Sequence, residues 1–455
     1  MKCVVGIDLG STTTKAVILD EQGEMVGRGI TNSRSNYEVA CQVAHQEALI
    51  SVRFAMLERV GAASENGTGE RVKALVPAVK SAYRLELYLH GLDDLEQVIA
   101  AQMGRSLLNR GRASLEPSVK RILAMARENA PALFAANAPR RSDFFRDLAG
   151  AAYVAGAEKL AKENGEEFEP LVAAYDRAIL EVETHALQQD ISTVLKRAVN
   201  RVAREQKDGE PVALALVRAA DQALSQPLHE VAFVGTGYGR QTLPFPREAV
   251  RSEILCHGRG AHRIFPGTRT VLDIGGQDTK AIQVDGHGVV TGFQMNDRCA
   301  AGCGRYLGYI ADELNLGLHE LGPLALQANT MVKVNSTCTV FAGAELRERL
   351  ALGQRREDIL AGLHRSIMLR AMSLLARSGG VNNEFTFTGG VCNNPMAVKV
   401  LRELVVQNYG DKIHLNIHPD SIYMGALGGA LFALDDLRAD KPSLLPTTWA
   451  AGAAA

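Results

Sequence analysis

The spacing of hydrophobic residues divides the chain into regions with different predicted secondary structure. Residues 1 to about 35 contain three short apolar runs, "CVVGIDLG", "TTKAVILD" and "GEMVGRGI", separated by Gly and Asp turn residues, which predicts β-hairpins. Between about residues 36 and 228, stretches such as "DDLEQVIAAQMGRSLL" follow the period of amphipathic helices. From "HEVAFVGTG" to about residue 434, strand and helix patterns alternate. We therefore expect an α/β protein with a long helical insertion.

Two of the hairpin sequences repeat one polar pattern. "VVGIDLGSTTTKAVIL" at 4–19 and "TVLDIGGQDTKAIQV" at 270–284 both contain Asp-x-Gly and, five residues after the Gly, a Lys. Asp8 and Asp273 lie 265 residues apart, as do the matching Gly and Lys residues. A repeated supersecondary unit predicts two similar lobes that face each other across a cleft. The expected segments are 1–35 for the first part of the N-terminal lobe, 36–228 for a mostly helical insertion, 229–434 for the remainder of both lobes with the helices that follow the cysteine segments, and 435–455 for a flexible tail.

The repeated hairpins are candidates for a nucleotide site. Tight turns of Gly and small polar residues leave successive backbone N–H groups free to bind an anion. Asp8 and Asp273 suit the waters around a bound Mg²⁺, and Gln277 and Asp278 are placed to orient an attacking water. The predicted phosphate-binding residues are Gly10, Ser11, Thr12, Thr13, Lys15, Gly275, Gly276 and Lys280. The alternative, two ordinary hairpins with Asp-Gly turns, is disfavoured by the matched register of the two copies.

A third glycine-containing segment supports this cleft. "EFTFTGGVCNN" at 384–394 reads as a strand that ends at Gly389-Gly390, before a helix that begins near Asn394. Because glycine permits a close approach of the backbone, Thr388, Gly389 and Gly390 are predicted to contact adenosine. A plain strand-to-helix turn is the alternative. The absence of G-x-x-x-x-G-K-[ST] argues against a P-loop, and "VGTGYG" lacks the G-x-G-x-x-G spacing of dinucleotide-binding folds.

Composition narrows the class of protein. The chain has 455 residues, 46% of them hydrophobic, and its 50 Lys and Arg balance 51 Asp and Glu, so no basic excess favours nucleic-acid binding. The N-terminal apolar run meets Asp8 too soon for a signal peptide, and no apolar stretch approaches the roughly 20 residues that span a bilayer. We therefore expect no membrane partner. Seven cysteines without secretory features indicate a reducing cytoplasm and favour a metal centre over disulfides.

These motifs resemble known families. The two Asp-x-Gly hairpins and the Thr-Gly-Gly turn resemble the ASKHA superfamily of acetate and sugar kinases, Hsp70 and actin, which implies a two-lobed, ribonuclease H-like ATPase fold. "DIGGQDTK", "FQMNDRCAAGCGRYL", "STCTVFAGAE", "GLHRSI" and "TGGVCNN" are similar, more narrowly, to the BadF/BadG/BcrA/BcrD family of ATP-dependent electron activators. That family includes activators of 2-hydroxyacyl-CoA dehydratases and nucleotide-binding subunits of ATP-dependent benzoyl-CoA reductase.

The resemblance implies that Cys299 and Cys338 ligate a [4Fe–4S] cluster. Each precedes a stretch that reads as a helix, and a helix N-terminus favours a thiolate. Because such a cluster needs four thiolates, two per chain imply that it is shared with a second ASKHA-type subunit, identical or different. Cys303 is expected one helical turn after Cys299 on the same helix face, either as a buried neighbour of the cluster or as a further ligand.

The remaining cysteines and one histidine have simpler interpretations. A zinc site formed by Cys299, Cys303 and Cys338 stays open as an alternative, but it lacks an evident fourth ligand. The other thiols are read as small buried residues, and His257 is read as a packed histidine beside one of them. These other thiols are Cys3, Cys41, Cys256 and Cys392.

The resemblance also implies a function and partners. The chain would hydrolyse ATP to pass low-potential electrons from reduced ferredoxin to subunits that bind an acyl-CoA. Its insertion resembles that of the larger of two unequal ATP-binding subunits of benzoyl-CoA reductase. The alternatives are a homodimeric activator of a 2-hydroxyacyl-CoA dehydratase with a lineage-specific insertion, and, in another class, a sugar or acid kinase without a cluster. A chaperone or filament protein is disfavoured, because no appended β-rich domain is visible.

Overall fold

The chain forms two compact units. The computed structural model describes residues 1–33, 36–64, 67–105, 115–135, 138, 145–185, 190–206, 210–237, 243–296, 303–314, 316–334, 339–442 and 445. One unit comprises Met1–Leu49 with Leu228–Ala455, and the other comprises Ile50–Pro227. The first part of the segment expected as an insertion from residue 36 therefore belongs to the first unit.

The second unit is helical over its described residues. Its helices, with the one that precedes them, are α1 (Tyr37–Ala62), α2 (Gly69–Arg105), α3 (Leu115–Leu133), α4 (Phe145–Asn164), α5 (Phe168–His185), α6 (Ile191–Arg204) and α7 (Glu210–Ser225). Helices α2 to α5 share an apolar core in which the Tyr153 and Tyr175 rings pack with centroids 5.2 Å apart. Helix α1 begins in the first unit and ends in the second.

The first unit contains two β-sheets with matching strand arrangements. The strands are β1 (Lys2–Leu9), β2 (Thr13–Asp20), β3 (Met25–Asn32), β4 (His229–Gly237), β5 (Thr270–Ile274), β6 (Thr279–Val284), β7 (Val290–Asn296), β8 (Phe385–Thr388) and β9 (Leu415–Asn416). The sheet orders are β3-β2-β1-β4 and β7-β6-β5-β8-β9. In both sheets the first strand pairs antiparallel with the second and parallel with the fourth of its series. The hairpin repeat thus extends to whole sheets.

The helices of this unit follow β4. They are α8 (Glu253–Ile264), α9 (Gly304–Glu313), α10 (Leu321–Ala325), α11 (Thr339–Ala351), α12 (Arg356–Arg377), α13 (Pro395–Tyr409) and α14 (Met424–Arg438). Helix α14 continues through 438, so the first four residues of the segment expected as a flexible tail are helical. Among the residues that the structure describes, only α12 is long and apolar enough to cross a membrane, and 67% of its apolar window is buried within the protein.

Helices α8 and α14 pack closely enough to require glycine. A Cβ at Gly428 of α14 would lie 2.7 Å from the Cα of Cys256 in α8. On the other side of α14, a Cβ at Gly6 of β1 would lie 2.9 Å from the Cα of Ala430. Because backbone meets backbone at both contacts, no side-chain rearrangement can relieve a larger residue. Helix α8, which connects the two sheets along the chain, is therefore held firmly against α14.

Candidate functional site

The two predicted hairpins have the same turn geometry. The Gly10 N–H donates to the Thr13 carbonyl at 3.2 Å, and the Gly275 N–H donates to the Asp278 carbonyl at 3.0 Å. The tips of the two hairpins also meet, because a Cβ at Gly276 would lie 2.8 Å from the Cβ of Thr12. The structure thus brings the predicted phosphate-binding turns together at one place.

A carboxylate and a lysine face each other across each hairpin. Asp8 is the register partner of Lys15, and Asp273 is that of Lys280. In both pairs the lysine Nζ lies 3.4 Å from the aspartate Oδ2. The second pair is the more deeply buried, with side-chain exposures of 4% and 2% against 12% and 5% in the first. The seven-residue Asp–Lys spacing noted in the sequence therefore corresponds to a repeated ion pair.

Asp273 is held in its charged form by several partners. Burial opposes ionisation, but the charges of His257 and Lys280 outweigh it and hold the pKa of Asp273 well below its usual range. The His257 Nδ1 lies 3.3 Å from Asp273 Oδ1. The Thr388 hydroxyl donates to the same oxygen at 2.9 Å. Asp273 is therefore a fixed, ionised carboxylate at neutral pH, as contact with metal-bound water requires.

Lys280 joins further carboxylates to this cluster. Its Nζ lies 2.7 Å from Asp278 Oδ2 and 3.9 Å from Glu253 Oε2. Burial alone would lower the pKa of Lys280, but Asp273, Asp278 and Glu253 raise it above its usual range. Because Asp278 is 7% exposed and paired with Lys280, it lies deeper than the half-buried Gln277. Of the two residues predicted to orient water, Gln277 is the more accessible.

Two residues of α8 belong to this cluster but were not predicted from the sequence as site residues. Glu253 was not named, and His257 was interpreted as a packed histidine. A Cβ at Gly425 would lie 2.8 Å from His257 Nε2 and 2.9 Å from Asp8 Oδ2, so the ring stands beside Asp8 as well as Asp273. Burial opposes the charged imidazole, but Asp273 outweighs it and the pKa of His257 is raised. Burial raises the pKa of Glu253. No local signal in "SEILCHGRG" marks these residues, because only the packing of α8 brings them to the hairpins.

A Thr-Gly pair ends the fourth strand of each series. Gly237 has φ +136° and Gly389 has φ +86°, a region that favours glycine. A Cβ at Gly237 would lie 2.9 Å from Leu9 N, and one at Gly389 would lie 2.9 Å from the equivalent Ile274 N. From the sequence, "VGTGYG" is recognisable only as a segment that lacks the spacing of dinucleotide-binding folds. Comparison with "FTGGVC" would have shown the Thr-Gly pair to be part of the repeat.

The predicted adenosine segment has two parts with different surroundings. Thr388 is fully buried, and its hydroxyl donates to Asp273, so it belongs to the carboxylate cluster, and its contact with adenosine stays a prediction. The contact of Gly389 and Gly390 with adenosine stays a prediction. The following helix begins as expected at Pro395, with Asn394 as its cap, since the Asn394 Oδ1 accepts the N–H groups of the second and third helical residues.

Asn394 also contacts the "GLHRSI" segment through His364. The Asn394 Nδ2 lies 3.0 Å from His364 Nε2, and the His364 Nδ1 donates to the Leu360 carbonyl at 2.7 Å. Burial lowers the pKa of His364 to about 4, so the ring is neutral at pH 7. Two segments that carry the family resemblance are therefore in direct contact.

This neutral histidine predicts an acid-sensitive stability. The unfolded His364 binds a proton below its ordinary pKa of 6.5, whereas the folded one does so only near 4. Stability is therefore fully present above pH 6.5 and falls as pH drops towards 4, by at most about 3 kcal/mol. Urea unfolding of the wild type and His364→Gln at pH 7 and pH 4.5 should show a steeper loss in the wild type. Equal losses would contradict this assignment.

The cysteine segments are described only in part. Cys299 and Cys338 lie outside the described residues, so their predicted ligation stays a prediction. Cys303 is 1% exposed and packs in the apolar core around β5 and α9. Its backbone is extended, with φ −141° and ψ 178°, and it caps α9, which begins at Gly304. The expectation that Cys299 and Cys303 share one helix face is wrong, because the helix starts only after Cys303.

Helix α9 is hydrogen-bonded to the second hairpin. The Gly304 N–H donates to the Gly275 carbonyl and the Arg305 N–H donates to the Gly276 carbonyl, each at 2.8 Å. These two N–H groups would otherwise lack intrahelical partners. A trans peptide carries its C=O and its following N–H on opposite sides, so the N–H groups of Gly276 and Gln277 point away from α9. The hairpin thus offers one backbone face to the helix and the other to the cleft.

Helices α9 and α11 run parallel. A Cβ at Gly343 of α11 would lie 3.2 Å from Tyr309 Cζ in α9, and one turn later Arg347 pairs with Glu313. Both pairs are 34 residues apart, so the helices advance in the same direction and begin at the same end. Cys338 immediately precedes the first residue of α11 in the sequence. Two positively polarised helix ends therefore lie at the same end of the pair, and each helix follows one of the cysteine segments in the sequence.

Comparison with known proteins agrees with this architecture. The profile of the BadF/BadG/BcrA/BcrD ATPase family matches residues 5–433. The (R)-2-hydroxyglutaryl-CoA dehydratase activating ATPase of Acidaminococcus fermentans is 42% identical over 205 residues, which are 45% of this chain and 76% of that protein. One of the benzoyl-CoA reductase subunits of Thauera aromatica is 35% identical over 203 residues, 45% of this chain and 71% of that protein.

A solved structure supports the fold. The activator of the 2-hydroxyisocaproyl-CoA dehydratase from Clostridium difficile, with bound ADPNP, aligns with a TM-score of 0.50 and 22% identity, covering 96% of each chain. The two-lobed ASKHA fold expected from the hairpin repeat is confirmed, with the helical unit inserted between β3 and β4. The chain belongs to the BadF/BadG/BcrA/BcrD ATPase family, which supports ATP as its ligand.

Proposed function

We propose that this ATPase is an electron activator, which uses ATP hydrolysis to pass low-potential electrons from reduced ferredoxin to a partner that acts on an acyl-CoA. The observation that carries this proposal is the pair of hydrogen bonds from α9 to the carbonyls of Gly275 and Gly276. They join the second nucleotide hairpin directly to the helix that follows the first cysteine segment. A metabolite kinase has no need for such a link.

The carboxylate cluster fits a hydrated Mg²⁺. Four carboxylates, those of Asp8, Asp273, Asp278 and Glu253, face two lysines and the His257 imidazole, so a divalent cation would balance the acidic charge that remains. Within the described part of the chain, no three His, Cys, Asp or Glu side chains are placed to hold a metal ion directly. Contact through water therefore suits Asp8 and Asp273. The turn N–H groups and the two lysines would bind the phosphates.

The ends of α9 and α11 fit an anionic iron–sulfur centre. Their parallel arrangement brings two positively polarised helix ends to one place, which stabilises thiolates and sulfide, while the Gly304 and Arg305 N–H groups themselves remain bonded to the hairpin. We assign Cys299 and Cys338 as its ligands, with a second subunit supplying the other two. When bound, a [4Fe–4S] cluster supplies one-electron transfer. Cys303 is packed in the apolar core, which favours a structural role for its side chain.

The peptide groups of the second hairpin would couple the two sites. Phosphate oxygens that accept hydrogen bonds from the N–H groups of Gly276 and Gln277 would polarise the same peptide units whose carbonyls hold Gly304 and Arg305. Loss of the terminal phosphate would remove that polarisation and allow the hairpin to reorient. Because α9 is bonded to the hairpin, its N-terminus would follow, and the surroundings of the cysteine segment would change with the nucleotide.

Two partner classes fit this activity. Similarity to the dehydratase-activating relative, at 42% identity, favours a 2-hydroxyacyl-CoA dehydratase as the electron acceptor. The helical unit over Ile50–Pro227 favours the second candidate, a benzoyl-CoA reductase in which two unequal ATP-binding subunits share the cluster. In either case the acyl-CoA would bind to other subunits.

Anoxic expression distinguishes these candidates. The full chain is produced alone and with a second ASKHA-type subunit, and iron, sulfide, zinc and native mass are measured together. A homodimer with about four irons per two chains would favour the dehydratase activator. A cluster that forms only with the second subunit would favour the reductase. Zinc without sulfide under both conditions would overturn the electron-activator proposal.

A further inference from the structure

The imidazole of His257 stands between the carboxylates of the two lobes. Its Nδ1 lies 3.3 Å from Asp273 Oδ1, on the second sheet. Its Nε2 lies on the side of Asp8 of the first sheet, since a Cβ at Gly425 would lie 2.8 Å from Nε2 and 2.9 Å from Asp8 Oδ2. The ring therefore contacts Asp273 and lies near Asp8, between the two aspartates that the hairpin repeat brings to the cleft.

The ring is fixed in this position by the helix that carries it. The His257 side chain is 7% exposed. On one side of it, the backbone of Cys256 packs against Gly428 of α14. On the other, a Cβ at Gly258 would lie 2.8 Å from Val290 Cγ2, so α8 is pressed onto the second sheet. Movement of the ring would require movement of α8 against α14 or the sheet.

The ring has no competing task in the described part of the protein. Nδ1 is buried and makes no well-aligned hydrogen bond there, so the Asp273 carboxylate at 3.3 Å is the acceptor that it faces. Thr388 and Lys280 contact the same carboxylate from within the second sheet. His257 is the contact that comes from the helix between the lobes.

From this geometry we infer that His257 is a positioning residue for the metal–nucleotide site and couples that site to the α8–α14 contact. It sets the separation and orientation of the Asp8 and Asp273 carboxylates, so that a Mg²⁺ held through its waters meets preset oxygens on both lobes. The inference rests on the proposed Mg²⁺-nucleotide site. Loss of the ring should therefore weaken the part of nucleotide binding that depends on Mg²⁺. Nucleotide binding in the absence of the metal should not change.

The test compares nucleotide binding with and without the metal. Calorimetry gives the Kd of ADPNP for the full chain in Mg²⁺ and in EDTA, and the ratio of the two is the gain due to the metal. His257→Ala should reduce this gain about tenfold, equivalent to about 1.4 kcal/mol, with the Kd in EDTA unchanged. His257→Asn should restore more of it than His257→Gln, because the Asn amide lies where Nδ1 does and the Gln amide where Nε2 does. His262→Ala, on the same helix, is the matched control and should keep the full gain.

Several results would overturn the inference. If His257→Ala weakened ADPNP binding equally in Mg²⁺ and in EDTA, the role of the ring would be merely structural. If the gain due to the metal were unchanged in His257→Ala, the ring would have no role in metal binding. If His257→Ala does not fold, the test rests on His257→Asn and His257→Gln. Equal gains due to the metal in these two variants would refute the assignment of His257 as a positioning residue. Failure of the wild type to bind ADPNP under both conditions would instead refute the nucleotide site itself. A second readout is amide hydrogen exchange in α8, which Mg²⁺–ADPNP should slow in the wild type but not in His257→Ala.

Discussion

Replacing Asp273 with Asn is expected to lower the rate of ATP hydrolysis roughly a thousandfold. The carboxylate is buried and held ionised by Lys280 and His257, which is the state that orders water around a metal ion. Asn keeps the size and can still accept the Thr388 hydroxyl, but it loses the charge. The measurement is phosphate release from Mg²⁺-ATP by the full chain under anoxic conditions, with far-UV circular dichroism as a check of folding.

The matched control for this variant is Asp285→Asn. Asp285 lies in the exposed turn between β6 and β7, where its Oδ1 accepts the N–H groups of His287 and Val289. Asn can preserve that acceptor, so the ATPase rate should not change. Asp8→Asn should resemble Asp273→Asn, because the two aspartates occupy equivalent positions in the repeat. An Asp273→Asn protein that keeps more than about a tenth of the wild-type rate would contradict the assigned role.

Replacing Cys338 with Ala is expected to reduce bound iron and sulfide to background levels. Under the proposed function this thiolate is one of only two that the chain contributes. The variant therefore removes two of the four cluster ligands from a homodimer, or one of four from a complex with a different subunit, and either loss leaves iron without a thiolate ligand. Iron and sulfide per chain are measured after anoxic purification, and ADPNP binding verifies that the nucleotide site is intact. Cys299→Ala should behave in the same way.

Two other cysteines serve as controls. Burial raises the pKa of Cys392 to about 12, so it is a thiol at neutral pH and unsuited to ligation, and Cys392→Ala should keep its iron. Cys303→Ala should also keep its iron, because the side chain packs in the apolar core. Retention of the cluster in Cys338→Ala, or its loss in Cys303→Ala, would require a different ligand set.

The features that could be predicted from the sequence are those determined by residues close together along the chain. Two copies of the Asp-x-Gly and Lys pattern were enough to predict two lobes. Pro395 after Asn394 likewise predicted the start of α13. The ion pair between each Asp and the Lys seven residues later was not predicted, because the lysines were assigned to phosphate. The Thr236-Gly237 pair was missed because the insertion lies between β3 and β4 and separates this pair from the first hairpin by many more residues than in the second copy.

Other features depend on packing that no local pattern records. His257 and Glu253 reach the hairpins only because α8 lies against α14 through glycine contacts. The start of α9 was placed too early, since "CAAGCGRYL" contains helix-compatible residues ahead of Gly304. What fixes the true start is tertiary, namely the hairpin carbonyls that accept the N–H groups of Gly304 and Arg305.

The link between the second hairpin and α9 consists entirely of main chain, and this affects how the protein can vary. Side-chain substitutions at Gly304 and Arg305 that leave the backbone path unchanged would preserve both hydrogen bonds, so drift at these sites need not uncouple the two regions. Proline is the exception, because it lacks the N–H that each bond requires. Random mutagenesis screened for loss of coupling should therefore recover proline at 304 or 305 far more often than charge or size changes at 305.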